Sequence, residues 1–278
     1  MATEPAAAPL AESPNVVEFL HVTKRFGNVV VIRDVNFCVP NIPDKGEFIC
    51  ILGPSGCGKS TVLRLIAGLR PHHPPSEGGV LVAGQPVAAP GSDRSMVFQD
   101  YTSFDNRTVE DNVAFGLECR GVAKAERRER ARDWIAKVGL DVNRDAHKYP
   151  SQLSGGMRQR VAIARTLILS PRIILMDEPF GALDPTTRLN MQALLVDLWR
   201  EAQATVFFVT HSIEEAVYLG DRVYIFSSSP GTILREMKVP PPDRPAKEMQ
   251  REKAFIDLVF EIRDIIETLH ASTRAGDD

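Results

Sequence analysis

The chain has 278 residues, 44% of them hydrophobic and 25% charged, with a formal charge of −3 at pH 7. That length supports a large core arranged as one elaborated domain or two, and the near-neutral balance argues against a surface built to coat nucleic acid, which needs basic stripes. Cys38, Cys50, Cys57 and Cys119 show no C-x-x-C spacing, as fits a reducing compartment, and no apolar run approaches the roughly 18 residues of a spanning helix, so a membrane role has to come through a partner.

Residues 1–15 are rich in Ala, Pro and Glu, without the basic and apolar regions of a signal peptide, and read as a disordered tail. Residues 16–22 alternate as a strand does, and 29–32 and 35–39 give two more strand-like runs before a turn over 40–46. Phe26 follows the first strand. Taken alone it reads as a core or turn aromatic, with a ring stacked on adenine as the sharper alternative.

Residues 48–52 are wholly apolar, and Gly53-Pro54-Ser55-Gly56-Cys57-Gly58-Lys59-Ser60-Thr61 then leads into the periodic segment 61–69. A buried strand, a tight glycine turn and a helix in this order are what the phosphate-loop pattern G-x-x-x-x-G-K-[ST] requires. The glycines let successive backbone N–H groups face one anion, and the helix start adds the positive end of its dipole. Lys59 can reach the outer phosphates of a nucleoside triphosphate and the Ser60 hydroxyl can ligate Mg²⁺. Cys57, inside the loop, is expected to be a thiol whose alkylation blocks ATP binding and which bound ATP protects.

His72 and His73 sit among Pro71, Pro74 and Pro75 in a loop over 70–79. With no carboxylate or cysteine cluster nearby in sequence, they read as part of a solvated loop rather than a metal pair. Strands over 80–82 and 95–98 follow, the second ending at Gln99. From 100 to about 165 the pattern is helical, and the charge-dense run 124–133 reads as a solvated helix face. Ser154-Gly155-Gly156 opens the helix that runs to Leu169 and offers a second anion site through its backbone amides and hydroxyl.

An apolar strand over 172–177 ends in Asp177-Glu178. Beside a phosphate loop, Asp177 can hold Mg²⁺ and Glu178 can orient the attacking water; apart from one, the pair would equally cap the next helix. A further strand, 205–210, ends at His211, at the end of the expected parallel sheet where α/β folds place ligands. Strands over 222–226 and 232–234 close the core. Residues 240–245 read as a stiff proline-rich spacer, and 254–269 as an amphipathic helix packed on the core or on another subunit.

Five separated motifs stand in one order: Gly53 to Ser60, Gln99, Leu153 to Met157, the strand to Glu178 with Gly181-Ala182-Leu183-Asp184, and His211. In this the chain resembles ATP-binding cassette (ABC) ATPases over about residues 17–235, and Thr210-His211-Ser212-Ile213-Glu214-Glu215-Ala216 and Ser229-Pro230-Gly231-Thr232-Ile233 make it similar to the nitrate/sulfonate/taurine importer type. The resemblance implies an α/β fold: a P-loop NTPase core with a mixed sheet, an antiparallel β subdomain and an inserted α-helical subdomain over about 101–165. The ATPase domain would cover 16–239, and 240–278 would add the spacer and terminal helix.

The resemblance also implies roles. Two cassettes, identical or closely paralogous, sandwich ATP, so that Ser154, Gly155 and Gly156 of one complete the Lys59 loop of the other. Phe26 stacks adenine, Gln99 senses Mg²⁺ and the γ-phosphate, Asp184 spans the dimer and His211 contacts the γ-phosphate. The partners implied are an integral membrane permease docking between Gln99 and Asn106 and a solute-binding protein reached through the complex, with no nucleic acid, at the cytoplasmic face of the inner membrane.

This chain departs from the family pattern in places. Phe26 replaces the more usual tyrosine, and Met157 stands where the signature most often has glutamine. The loops at 41–45 and 71–79 are a few residues longer. Ser103-Phe104-Asp105-Asn106 replaces a more apolar stretch, leaving Phe104 as the apolar anchor of the docking region. A cassette ATPase that serves assembly or repair rather than transport is the alternative reading. A GTPase is disfavoured because the chain has no Asn-Lys-x-Asp motif.

Overall fold

The computed structural model describes residues 13–43, 45–100 and 102–274, with side chains to 268. Most of the N-terminal tail, residues 1–12, lies outside the described residues, as does the side chain of Leu269. β1 (Asn15–Phe26) and β2 (Val29–Pro40) form an antiparallel hairpin. The runs 29–32 and 35–39 belong to one strand, not two. His21 and Asp34 take positive φ values of 51° and 47° and face each other across shifted register, so a bulge absorbs the break in alternation.

β3 (Phe48–Leu52) leads through residues 53–58 into α1 (Lys59–Ala67). β4 (Glu77–Val82) and the short β5 (Gln85–Pro86) return to the hairpin and complete a four-stranded sheet of order β2-β1-β4-β5. β6 (Arg94–Val97) precedes a helical stretch: α2 (Val109–Cys119), α3 (Lys124–Lys137), the short α4 (Val142–Asp145), a 3-10 turn at Pro150–Gln152 and α5 (Gly155–Leu167). The chain then alternates through β7 (Ile173–Asp177), α6 (Pro185–Ala202), β8 (Thr205–Thr210), α7 (Ile213–Leu219) and β9 (Arg222–Phe226), and ends with β10 (Ile233–Lys238), α8 (Ala246–Met249) and α9 (Lys253–Arg274).

The second sheet has the order β10-β9-β3-β8-β7-β6, parallel except for β10. Its central strands are buried throughout because both faces are covered. Cys50, Leu52, Met176, Phe208 and Ile225 point to the helical side, and Ile49, Ile51, Leu175, Phe207 and Tyr224 to α1 and the antiparallel sheet. β8 lies between β3 and β7, so the chain leaves three adjacent parallel strands at the same edge, at residues 53, 178 and 211.

Two local expectations are corrected. The charge-dense run is not simply a solvated face: Ala131 and Ile135 of α3 are buried, and Arg132 Nε and Arg128 Nε reach the buried Glu110 of α2 at 2.6 and 3.2 Å. Residues 240–245, expected as a stiff spacer, are also partly packed on the core. Pro242 is buried and its carbonyl accepts from Arg200 of α6, and Ala246, Met249, Phe255, Val259 and Ile262 carry the terminal helices onto the core.

Gly231 ties the hairpin to the phosphate loop. Its N–H donates to the Val31 carbonyl and its carbonyl accepts from Arg33 N–H, each at 2.9 Å, and a Cβ there would stand 1.9 Å from the Cys57 carbonyl oxygen. Gly231→Ala is therefore expected to destabilise the fold by about 1–3 kcal/mol, several degrees of Tm, and to weaken ATP binding. Gly79→Ala, whose Cβ would meet nothing within 4 Å, should change neither in thermal denaturation or calorimetry.

Candidate functional site

The phosphate loop is shaped by steric exclusion. Gly58 caps α1 with φ at 96°, and a Cβ there would lie 2.4 Å from Ile32 Cγ2, so no other residue fits both the conformation and the space. No side chain caps the helix start, which leaves its N–H groups for an anion. Lys59, nearly fully buried, donates from Nζ to the carbonyls of Gly53 at 2.7 Å and Pro54 at 2.8 Å, so the loop wraps its ammonium. The same Nζ stands 3.9 Å from Glu178 Oε1.

Cys57 does not behave as expected. Its side chain is buried, and burial pushes its thiol up despite the neighbouring Lys59 charge. Its Sγ would lie 3.1 Å from a Cβ on Gly53, packed inside the loop. A buried thiol whose protonated form is favoured is a poor target for alkylation, so Cys57 faces a ligand through its backbone.

The two consecutive carboxylates face different partners. Asp177, buried at the end of β7, accepts from Ser60 Oγ at 2.7 Å on Oδ1, and Arg64 Nη2 stands 3.5 Å from Oδ2. Burial pushes its carboxyl up, while the Ser60 hydroxyl and the Arg64 charge act against that shift. Glu178 leaves the strand with a positive φ of 43° and its N–H on the Val209 carbonyl at 3.1 Å. That turn brings Glu178 Oε2 to 3.1 Å from Nδ1 of the exposed His211. A left-handed non-glycine residue costs of order 1 kcal/mol and collects where geometry serves function.

Phe26 ends β1 half-exposed; its ring meets His72 edge-on at 5.1 Å, and Lys24 Nζ lies 5.1 Å from its centroid. Gln99 is exposed just beyond β6, and Thr61 is buried in the first turn of α1. Ser154 caps α5 by accepting from Met157 N–H at 3.3 Å, and Asp184 caps α6 by accepting from Thr187 N–H at 3.0 Å. A Cβ on Gly156 would lie 3.0 Å from Thr187 Cγ2, so the two helix starts adjoin. Gly155 and Ser154 are exposed there. Among the described residues, neither Ser154 nor Asp184 hydrogen-bonds to the phosphate loop.

Sequence reasoning missed two groups. One is Arg64, four residues after Ser60 and so on the same face of α1. The other is a buried cluster behind His211, in which Thr210 Oγ1 donates to Glu215 Oε2 at 2.5 Å and Gln192 Nε2 to Glu215 Oε1 at 3.3 Å, with Arg188 Nε at 3.8 Å. Ser212 three residues before Glu215 reads as a capping box; the Glu215 carboxylate instead turns to Thr210. Among the described residues no group of three or more His, Cys, Asp and Glu could hold a metal.

In the expected docking region Phe104 packs on Phe115 with ring centroids 4.5 Å apart, and the guanidinium carbons of Arg107 and Arg165 lie 5.7 and 5.6 Å from the Phe104 ring. The pair borders a cleft of about 780 Å³. Among the described residues no helix is long and apolar enough to cross a membrane.

A family model described as ABC transporter matches residues 32–181. An uncharacterised ABC transporter ATP-binding protein of Methanocaldococcus jannaschii is 53% identical over 219 residues, 77% of this chain and 80% of that protein. The nitrate import ATP-binding protein of Synechocystis sp. is 44% identical over 246 residues, covering 86% and 89%, and the taurine import ATP-binding protein of Escherichia coli K12 is 42% identical over 222, covering 80% and 84%. Among solved structures, the dimeric post-hydrolysis cassette MJ0796 bound to ADP and Pi superposes with a TM-score of 0.69 at 35% identity, over 81% of this chain and 99% of that one. The strand-loop-helix that wraps Lys59 and the carboxylates facing it are thus carried on a fold and a sequence shared with these proteins, and the chain belongs to the ABC transporter family of ATP-binding proteins.

Proposed function

We propose that this chain is the ATP-hydrolysing subunit of a membrane importer for a small solute of the nitrate, sulfonate or taurine class. It would act at the cytoplasmic face of the inner membrane, as one of two cassettes under a permease that receives solute from a binding protein. The observation that carries the reading is the divergence of the two carboxylates: Asp177 toward Ser60 and Arg64, Glu178 toward His211 and Lys59. The importer relatives at 42–44% identity support the solute class.

The donor set suits a hard divalent cation, because Ser60 Oγ and Asp177 Oδ1 are oxygen ligands already 2.7 Å apart. Ser60 and Asp177, with Gln99, would hold Mg²⁺. Bound there, it would neutralise charge on the outer phosphates. Lys59 would exchange its bonds to the Gly53 and Pro54 carbonyls for phosphate oxygens. Phe26 would take the adenine ring on its face. Glu178, held through Oε2 by His211, would accept hydrogen from the attacking water and align it with the γ-phosphate. Ser154, Gly155 and Gly156 of the second cassette would close the far side of the triphosphate, with Asp184 beside them at the junction.

Glu178→Gln is expected to cut turnover by about 10²- to 10⁴-fold, roughly 3–5 kcal/mol of barrier, while ATP stays bound and a closed dimer accumulates in light scattering. Lys59→Ala should instead weaken ATP binding itself; equal ATP affinities for the two variants would refute this division of roles. Mixing Lys59→Ala with Ser154→Arg should restore hydrolysis that neither has alone, since the mixed dimer retains one composite site with both halves intact. No recovery in a dimer shown to mix would exclude a shared site.

For the permease, Phe104 with its two flanking arginines is the proposed contact. Phe104→Ala should reduce co-purification of the transporter complex by about tenfold, the scale of a buried aromatic anchor; unchanged assembly would remove Phe104 from the interface.

A further inference from the structure

The loop between α1 and β4 is stitched to the end of β1. Lys24 Nζ donates to the Pro74 carbonyl at 2.8 Å, Ser76 N–H to the Thr23 carbonyl at 2.8 Å, and Arg25 N–H to Ser76 Oγ at 3.0 Å. These bonds hold the loop against the residues immediately before Phe26. The consequence is that His72 is half-buried rather than solvated, with its ring edge-on to Phe26 at an interplanar angle of 75°.

The other side of the His72 ring meets Arg64. Its Nε2 lies 3.3 Å from Arg64 Nη1. A guanidinium only donates, so Nε2 is the acceptor and the ring proton sits on Nδ1. Burial, with the Arg64 and Lys24 charges, pushes His72 below its usual range and keeps it in that neutral form. The second terminal nitrogen of the same guanidinium, Nη2, is the one 3.5 Å from Asp177 Oδ2. A single imidazole therefore touches Phe26 directly and Asp177 through one arginine.

We propose that His72 is a positioning residue for the nucleotide: it sets the Phe26 ring for the base and, through Arg64, the Asp177 carboxylate for the metal-bearing end of the triphosphate. Two contacts of different chemistry do the two jobs. The edge-to-face contact fixes the ring plane that a base stacks on. The acceptor nitrogen fixes the rotation of the Arg64 fork, which among the described residues has otherwise one carboxylate oxygen to orient it. The inference rests on the assignment of Phe26 to the base and Asp177 to Mg²⁺.

Because the contacts differ chemically, they can be removed separately. His72→Phe keeps a ring edge and loses the acceptor; His72→Gln keeps an acceptor and loses the ring; His72→Ala loses both. Three quantities are read for each: the ATP dissociation constant in EDTA by calorimetry, the Mg²⁺ concentration giving half-maximal hydrolysis, and Tm. His72→Ala should raise the first two by about three- to tenfold, the scale of one aromatic or hydrogen-bonded contact. His72→Gln should raise only the dissociation constant, and His72→Phe only the Mg²⁺ requirement. Both quantities within twofold of the parent in His72→Ala would overturn the proposal. So would Gln and Phe variants that shift both quantities together in step with a lower Tm, the mark of a merely structural loop. Phe26→Ala is measured alongside. If it leaves metal-free ATP affinity unchanged, the base assignment fails and this inference with it; if it weakens binding while the His72 variants do not, only this inference fails.

Discussion

The hydrogen bond from Ser60 Oγ to Asp177 Oδ1, 2.7 Å long, joins residues 117 apart in sequence, and the site depends on it. It forms because β3 and β7 flank β8 in parallel and end at one edge, which sets the first turn of α1 against the last residue of β7. An ionised carboxylate there is expensive to bury alone. The hydroxyl and the Arg64 charge share the compensation, and the net upward push on Asp177 records that desolvation still outweighs them. A divalent cation placed against the same oxygens, as proposed above, would add compensation that the protein groups leave incomplete.

Glu178 shows how adjacent residues of one chemical type are separated in role. Continuing the strand would send its side chain to the opposite face of the sheet, into the apolar layer. The left-handed turn at φ 43° removes it from the alternation and delivers it to the rim, between Lys59 and His211. Asp177 stays in the strand and stays buried; Glu178 leaves it and can meet water. In the proposed mechanism, the difference between holding a cation and handling a water molecule comes from this one backbone rotation.

The phosphate loop and the Asp-Glu strand were legible because each compresses its chemistry into consecutive residues within an apolar-strand context. The order of the strands, by contrast, is a non-local property, and the helical insert, which carries Ser154 far in sequence from Lys59, gives no periodic sign of where it docks. Residues 29–40 read as two strands because Asp34 interrupts the alternation, and periodicity cannot tell a bulge from a break. Cys57 read as reactive because its neighbours bind phosphate; backbone direction within a turn, which sends its thiol inward, is invisible to a motif. His72 read as solvated because prolines flank it, yet Lys24 and Thr23 bind that loop from fifty residues away. Arg64 lay in plain view on a predicted helix and Glu215 in the 210–216 motif, but ordinary charges look the same until a buried partner is found.

The exposed helix starts at Ser154 and Asp184 pose the remaining physical question. Each is capped, and the Gly156 backbone approaches the Thr187 side chain closely enough that an added methyl group would crowd Cγ2. Two positive dipole ends side by side repel. The Asp184 carboxylate, held low by the Thr187 hydroxyl and N–H, offsets part of that charge. The remainder faces outward from a segment with no hydrogen bond to the chain's own phosphate loop among the described residues. In the proposed head-to-tail pair of cassettes, a triphosphate held by the facing Lys59 loop would supply the negative charge that such helix starts favour.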